Sequence, residues 1–460
     1  MMHYTNIERV YLIGIGGIGM SAVARYFKSV GKDIAGYDHT PAPLTDMLRS
    51  EGMNIHFRDD TSLIPEPFKN KKGTLIIYTP AIPATHSELV YFREKGFDVL
   101  KRSQVLGKIL EQHTSIAIAG THGKTTISSM TAHIFVHSGT FCNAFLGGIA
   151  KNFESNFVLN RSSDFYIAEA DEFDRSFLSL FPDYAVVSSM DDDHLDIYGE
   201  RKNLIASFTQ FVNQIKPSGV LVLKKGVEIT AKDNIRVLRY ALEEKCDYYA
   251  FNISPDGLYN KFSIHTPSGD FTDINPGVPG KLNVENAVAA FAIAHQAGIA
   301  PALIINSLKD FKGVTRRFDI RLENKNTIYI DDYAHHPEEL RAFITSVKER
   351  LPGKQITGIF QPHLYTRTRD LAAGFSETLS LLDNVILLNI YPAREKPIPG
   401  ITSEIILNHL TNTGKKLLCA KEELLGVIEK MNPEALLTMG AGDIDRLVEP
   451  LRDLLIRINE

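Results

Sequence analysis

The chain of 460 residues is 44% hydrophobic and 23% charged, and 50 basic against 55 acidic residues leave a net charge of −5. This is the composition of a globular protein of about three domains, each roughly 100–200 residues, and with no basic block it argues against a nucleic-acid partner. No apolar run approaches the roughly 20 residues that span a bilayer, the amino terminus reads straight into a strand, and Cys142, Cys246 and Cys419 are too dispersed for a disulfide framework or zinc site; the expectation is a cytoplasmic protein with no membrane insertion.

In chain order, short apolar strands alternate with amphipathic helices. Residues 10–16 precede a predicted helix over 19–31, and 74–82 precede 86–96. The pattern repeats with 115–120 before 124–139, and with 356–363 before 369–382. Such alternation predicts α/β architecture with parallel, doubly wound sheets. Three series begin afresh, near residues 8, 114 and 327, with boundary stretches at 102–113 and 311–326. The expected domains are 1–105, 106–315 and 316–460.

The first turn carries Gly14, Gly16, Gly17, Ile18 and Gly19, and Asp38 ends the next strand. Alone, this is a dinucleotide fingerprint, which brings a phosphate-bearing ligand close to backbone N–H groups. A stronger signal follows at Gly120, Thr121, His122, Gly123, Lys124, Thr125 and Thr126. Glycines here let N–H groups close around phosphates, the lysine adds a point charge, and the Thr125 hydroxyl is placed for Mg²⁺. Ile118 stands where the usual loop pattern has another glycine. Two later strand ends deliver acids, Glu169 to Asp174 and Asp191 to Asp196, the second with His194. Carboxylates at strand ends beyond a phosphate loop suit a magnesium site. His194, a nitrogen donor, suits a second, less demanding cation.

These motifs together resemble the Mur ligases. Gly-Ile-Gly-Gly-Ile-Gly-Met-Ser (14–21), Gly-Thr-His-Gly-Lys-Thr-Thr (120–126), Glu-Ala-Asp-Glu-Phe-Asp (169–174) and Asp-His-Leu-Asp-Ile-Tyr (193–198) carry the likeness. So do Gly-Lys-Leu-Asn-Val-Glu-Asn-Ala (280–287), Arg-Arg-Phe (316–318), Asp-Asp-Tyr-Ala-His-His-Pro (331–337) and Phe-Gln-Pro-His-Leu-Tyr-Thr-Arg-Thr-Arg (360–369). The resemblance implies a Rossmann-like UDP-binding domain, a central P-loop ATPase-type α/β domain and a Rossmann-like C-terminal domain that brings the amino acid. It implies ATP-dependent ligation of L-alanine to the lactyl carboxylate of UDP-N-acetylmuramate through an acyl phosphate, in peptidoglycan precursor synthesis. Gly14 to Gly19 then hold UDP. Lys124 serves ATP phosphates, Thr125 and Glu169 the first Mg²⁺, and His194 a second cation, Mg²⁺ or Mn²⁺. Asn283 and Asn286 fall where adenine is recognised, and Arg317 where an arginine reaches ATP. Tyr333, His335 and Arg367 fall at the amino-acid site, with His335 the candidate base and Arg367 a fork for the alanine carboxylate.

Three positions depart from the family pattern: Leu282 for a histidine, Leu364 for an arginine, and residues 78–82 for a Ser-Ser-Ala-Ile element. Rival readings are a murein-peptide ligase that attaches a tripeptide to the same sugar nucleotide, a nicotinamide-dependent dehydrogenase built on residues 8–40, and an ATP-dependent regulatory module. The dehydrogenase leaves residues 120–126 unexplained. The regulatory module leaves 331–337 and 360–369 without a purpose.

Overall fold

A computed structural model of the chain describes residues 6–191, 198–393, 395–411 and 414–459. Two compact units emerge: Met1–Ile253 with Phe262–Gly277 and Val284–Lys312, and Ser254–Lys261 with Val278–Asn283 and Gly313–Glu460.

In the first unit, a five-stranded parallel sheet runs Asn54–His56, Asp33–Tyr37, Arg9–Ile13, Thr74–Tyr78, Asp98–Lys101. After Arg9 the middle strand is an unbroken apolar run, and Val10, Tyr11, Leu12 and Ile13 are all fully buried, as expected of a strand covered on both faces. Strand order reverses on either side of Arg9–Ile13, so the glycine turn after it lies at a topological switch point, where open α/β sheets bind ligands. Gly14, at φ +89°, makes that turn, and helix Ile18–Ser29 follows.

The second sheet has ten strands, of which Arg236–Ala241, Val220–Lys224, Tyr184–Val187, Thr114–Ala119, Phe165–Glu169 and Asn143–Ala150 form a parallel run. Antiparallel pairs extend both ends: Asn143–Ala150 with Ser155–Val158, and Tyr259–Thr266 with Gly269–Ile274. The sequence reading does not foresee these hairpins. Their outer strands Ser155–Val158, Tyr259–Thr266 and Gly269–Ile274 mix polar with apolar residues and lack the continuous apolar run that marks the parallel strands.

The two sheets of this unit are joined through a buried polar contact. Asn156, fully buried, donates from Nδ2 to the Ile18 carbonyl at 2.5 Å and to Ser21 Oγ at 2.9 Å, while Arg25 donates to its Oδ1. Arg25 also pairs with Glu51 at 2.6 Å. Helix Ile18–Ser29, which begins in the glycine turn, is thereby fixed to the central sheet.

Helix Lys124–His137 packs against Pro301–Lys309. Its His133 is buried, its Nε2 donates to the Ser307 carbonyl at 2.8 Å, and burial lowers the imidazole pKa to about 4. The unfolded chain, near the ordinary 6.5, binds the proton first, so stability is lost as pH falls from 6.5 toward 4. That loss amounts to about 3 kcal/mol at most. We expect His133→Leu to flatten this part of the pH dependence of the urea midpoint; an unchanged slope would show that His133 titrates normally.

The second unit holds a six-stranded sheet ordered Asp319–Glu323, Ile328–Asp332, Ala435–Met439, Ile356–Phe360, Asn384–Leu388, Lys416–Cys419. Only the first pair is antiparallel. Strand Asp319–Glu323 and helix Arg102–Leu110 occupy the stretches read as boundaries, because both bury residues: Asp319 in one, and Val105, Leu106, Ile109 and Leu110 in the other.

Candidate active site

Strand Thr114–Ala119 delivers the candidate phosphate loop and helix Lys124–His137 follows it. Gly120 at φ +134° and Gly123 at φ +80° take conformations that side chains resist. Gly123 caps the helix without a side chain, which leaves the first N–H groups facing outward for an anion. Two serines beyond strand Tyr184–Val187 brace the loop. Ser189 Oγ lies 2.9 Å from Thr121 Oγ1 and accepts from His122 N at 2.8 Å, and Ser188 Oγ donates to the His122 carbonyl. A Cβ on Gly120 would collide with Ser188 Oγ and stand 2.8 Å from Ser189 N. Gly120→Ala therefore meets both strain and overlap. We expect nucleotide affinity by calorimetry to fall at least about tenfold and stability to fall by about 1–3 kcal/mol. Parental values for both would mean that the loop yields freely.

Lys124 Nζ donates to the Gly120 carbonyl at 2.7 Å and pairs with Glu172 at 2.8 Å; Glu172 is fully buried. Burial works to depress the ammonium pKa, but Glu172, Asp171 and Glu169 outweigh it and hold the group above its usual value. Burial pushes the Glu172 carboxyl up while Lys124 pulls it down. The pair is thus a buried ion pair in which each charge depends on the other. Glu172 is missed by the sequence reading, although it lies inside the quoted 169–174 motif.

Thr125 is buried in the first turn after the loop. Glu169 ends strand Phe165–Glu169, directly beside Thr114–Ala119. A Cβ on Gly147 would overlap the Glu169 carboxylate, so that glycine makes room for the acid. Among the described residues, no group of three His, Cys, Asp or Glu side chains is arranged to hold a metal. His194 lies outside the described residues. Thr125 and Glu169 offer hard oxygen donors, the chemistry magnesium takes.

At the first turn, Asp38 accepts from Gly16 N at 2.7 Å, so one carboxylate oxygen holds the loop itself. A Cβ on Gly16 would crowd Asp38 and Thr45, whereas Gly17 has ordinary contacts only. Asn286, on helix Lys281–Gln296, lies against the phosphate loop: its Oδ1 would stand 2.8 Å from a Cβ on Gly123. In the other unit, Asn283 donates to the Pro279 carbonyl at 2.7 Å, and Leu282 is 48% exposed beside it.

The second unit gathers the C-terminal candidates. The Arg317 guanidinium lies 5.0 Å from the Tyr333 ring centroid, and Tyr333 meets His335 edge-on at 5.3 Å. His335 Nδ1 is 3.1 Å from the Tyr333 carbonyl and 3.3 Å from Glu339. Burial lowers the His335 pKa; Glu339 opposes this, and Arg367 and Arg317 reinforce it. Arg367 stands in the first turn of helix Tyr365–Leu379, which starts four residues before the predicted 369. Asp332 accepts from Phe318 N and Ala334 N, and burial raises its carboxyl to about 6 against Arg317.

Family models match along the chain: the Mur ligase family, catalytic domain, over residues 9–114; the Mur ligase middle domain over 118–294; and the Mur ligase, glutamate ligase domain, over 316–442. The chain belongs to the Mur ligase family. It is 50% identical over 458 residues to the UDP-N-acetylmuramate–L-alanine ligase of Parabacteroides distasonis, covering 99% of both chains. It is 48% identical over 453 residues to that of Porphyromonas gingivalis strain W83, covering 98% of this chain and 99% of the relative. The crystal structure of a UDP-N-acetylmuramate–alanine ligase from Thermotoga maritima superposes with a TM-score of 0.82 at 27% identity, covering 97% and 98% of the two chains. A murein peptide ligase from Psychrobacter arcticus shares the fold, with a TM-score of 0.72 at 20% identity over 97% and 98%.

Proposed function

We propose that this chain joins L-alanine to the lactyl carboxylate of UDP-N-acetylmuramate with conversion of ATP to ADP and phosphate, a step of peptidoglycan precursor synthesis in the cytoplasm. The observation that carries this is 50% identity over 99% of both chains with a relative of that name. The murein-peptide ligase reading has a 20% identical structural neighbour behind it, which speaks for the fold alone. Among the described residues, no helix is long and apolar enough to cross a membrane.

Residues 1–105 would hold UDP through Gly14, Gly16, Gly17, Ile18 and Gly19, residues 106–315 ATP, and residues 316–460 the amino acid. The lactyl carboxylate oxygen attacks the γ-phosphorus of ATP and ADP leaves. Lys124 and the loop N–H groups then offset charge on the transferring oxygens, where positioning and electrostatics do most of the work. Thr125 and Glu169 would hold magnesium, and His194 a second cation. When bound, the cation neutralises phosphate charge. The alanine amine attacks the acyl phosphate, and inorganic phosphate leaves as the amide forms. His335, kept neutral by its lowered pKa, would take the proton from the amine. Arg367 would clamp the alanine carboxylate, Asn283 and Asn286 the adenine, and Arg317 the ATP phosphates.

ADP release should require both UDP-N-acetylmuramate and L-alanine. Release with UDP-N-acetylmuramate and a free tripeptide, but not with UDP-N-acetylmuramate and alanine, would favour the recycling ligase instead.

A further inference from the structure

One guanidinium in the first unit has no part in the scheme above. Arg102 opens helix Arg102–Leu110, directly after the edge strand Asp98–Lys101. Its side chain reaches across the C-terminal edge of the first sheet to the glycine turn. There it lies over Gly19, where a Cβ would stand 2.9 Å from Nη1, 3.0 Å from Cζ and 3.2 Å from Nε. Three atoms of one planar group at nearly equal distance describe a guanidinium laid flat on the glycine. Gly19 is therefore needed for the arginine's approach, a reason the sequence fingerprint does not contain.

Arg102 also lines a cleft with Ser103, Glu169, Asp171, Ser176 and Phe177. It thus stands between the glycine turn of the first sheet and the strand end beside the phosphate loop. Its anchor is firm. Gly107, on the same helix, abuts the Ser179 carbonyl so closely that a Cβ would overlap it, and the neighbouring Lys101 pairs with Asp174 at 3.1 Å. Lys101 is matched to an acid; Arg102, among the described residues, has neither an ion pair nor a hydrogen bond. A part-buried guanidinium at the switch point, next to the first N–H groups of helix Ile18–Ser29, calls for an anion.

We propose that Arg102 binds the pyrophosphate of the sugar nucleotide, with its fork and the glycine-turn N–H groups on the same oxygens, and so sets how far the substrate reaches toward Glu169 and Lys124. This rests on the reading of the first domain as the UDP site.

The test is calorimetry of the full chain with UDP, UDP-N-acetylmuramate and ATP. Arg102→Met should weaken UDP and UDP-N-acetylmuramate by the same factor, roughly 10–100-fold, as for hydrogen bonds to charged groups, with ATP affinity unchanged. Gly19→Ala, whose Cβ displaces the guanidinium, should weaken the same two ligands by less. Arg102→Lys should fall between Arg102→Met and the parent, since it keeps the charge and loses the fork. UDP affinity equal to the parent's in Arg102→Met overturns the assignment. Loss confined to UDP-N-acetylmuramate overturns it as well and points to the lactyl carboxylate. Loss of ATP affinity together with UDP affinity in both Arg102→Met and Gly19→Ala marks a structural strut and overturns it too. A parent chain that binds UDP but ligates no alanine would overturn the proposed reaction and leave Arg102 in place.

Discussion

Lys124→Met should lower ligation by roughly two to three orders of magnitude, the scale at which loss of one preorganised charge-stabilising group acts. The sequence alone suggests that such a change spares the fold, since it removes a charge from a turn and no core volume. The structure corrects that. Glu172 is fully buried against the ammonium, and removing one partner of a buried pair leaves the other uncompensated at a cost of about 3 kcal/mol. Lys124→Met should therefore also lower the urea midpoint. Adding Glu172→Gln should recover most of that stability and none of the activity. The double variant separates the lysine's two tasks: stability follows the pair, turnover follows the lysine. A Lys124→Met variant with near-parental turnover at saturating ATP would remove the lysine from phosphate binding. A double variant no more stable than the single one would mean that Glu172 is satisfied in other ways.

Glu169→Gln is the second large effect. The glutamine fills the same space beside Gly147, so packing is preserved while the charge and one strong acceptor are lost. The magnesium concentration for half-maximal rate should rise by more than the roughly 10–100-fold typical of groups that merely support a metal ligand. The thermal midpoint without metal should move little. Overlaid magnesium titrations for variant and parent would make the acid a structural one. The same titration on His194→Ala tests the second cation.

Much of this arrangement is legible in the sequence, for identifiable reasons. The phosphate loop can be read because Gly120 and Gly123 adopt positive φ values that other residues avoid, and because strand, turn and helix follow one another without interruption. The parallel strands can be read because burial on both faces leaves an unbroken apolar run. What could not be read depends on tertiary placement. Ser188 and Ser189 brace Thr121 and His122 from a neighbouring strand, and serines at a strand end carry no mark of that task. Glu172 sits among Glu169, Asp171 and Asp174, and only burial distinguishes it. Arg102 lies within a stretch read as a boundary, and its relation to Gly19 exists only once strand Asp98–Lys101 has joined the sheet. Helix Tyr365–Leu379 starts early because Leu364, at φ +70°, turns the chain immediately before it, which brings Arg367 into the first turn rather than the loop.

The central claim is that the lactyl carboxylate is activated by phosphorylation at the loop that holds Lys124. UDP-N-acetylmuramate labelled with ¹⁸O in that carboxylate tests it directly. Attack on the γ-phosphorus places a carboxylate oxygen in the acyl phosphate bridge, and amine attack at carbon releases it with the phosphate. Turnover with ATP and L-alanine should therefore yield inorganic phosphate bearing one ¹⁸O, together with ADP. Inorganic phosphate free of label, or AMP and labelled adenylate in place of ADP, would contradict it.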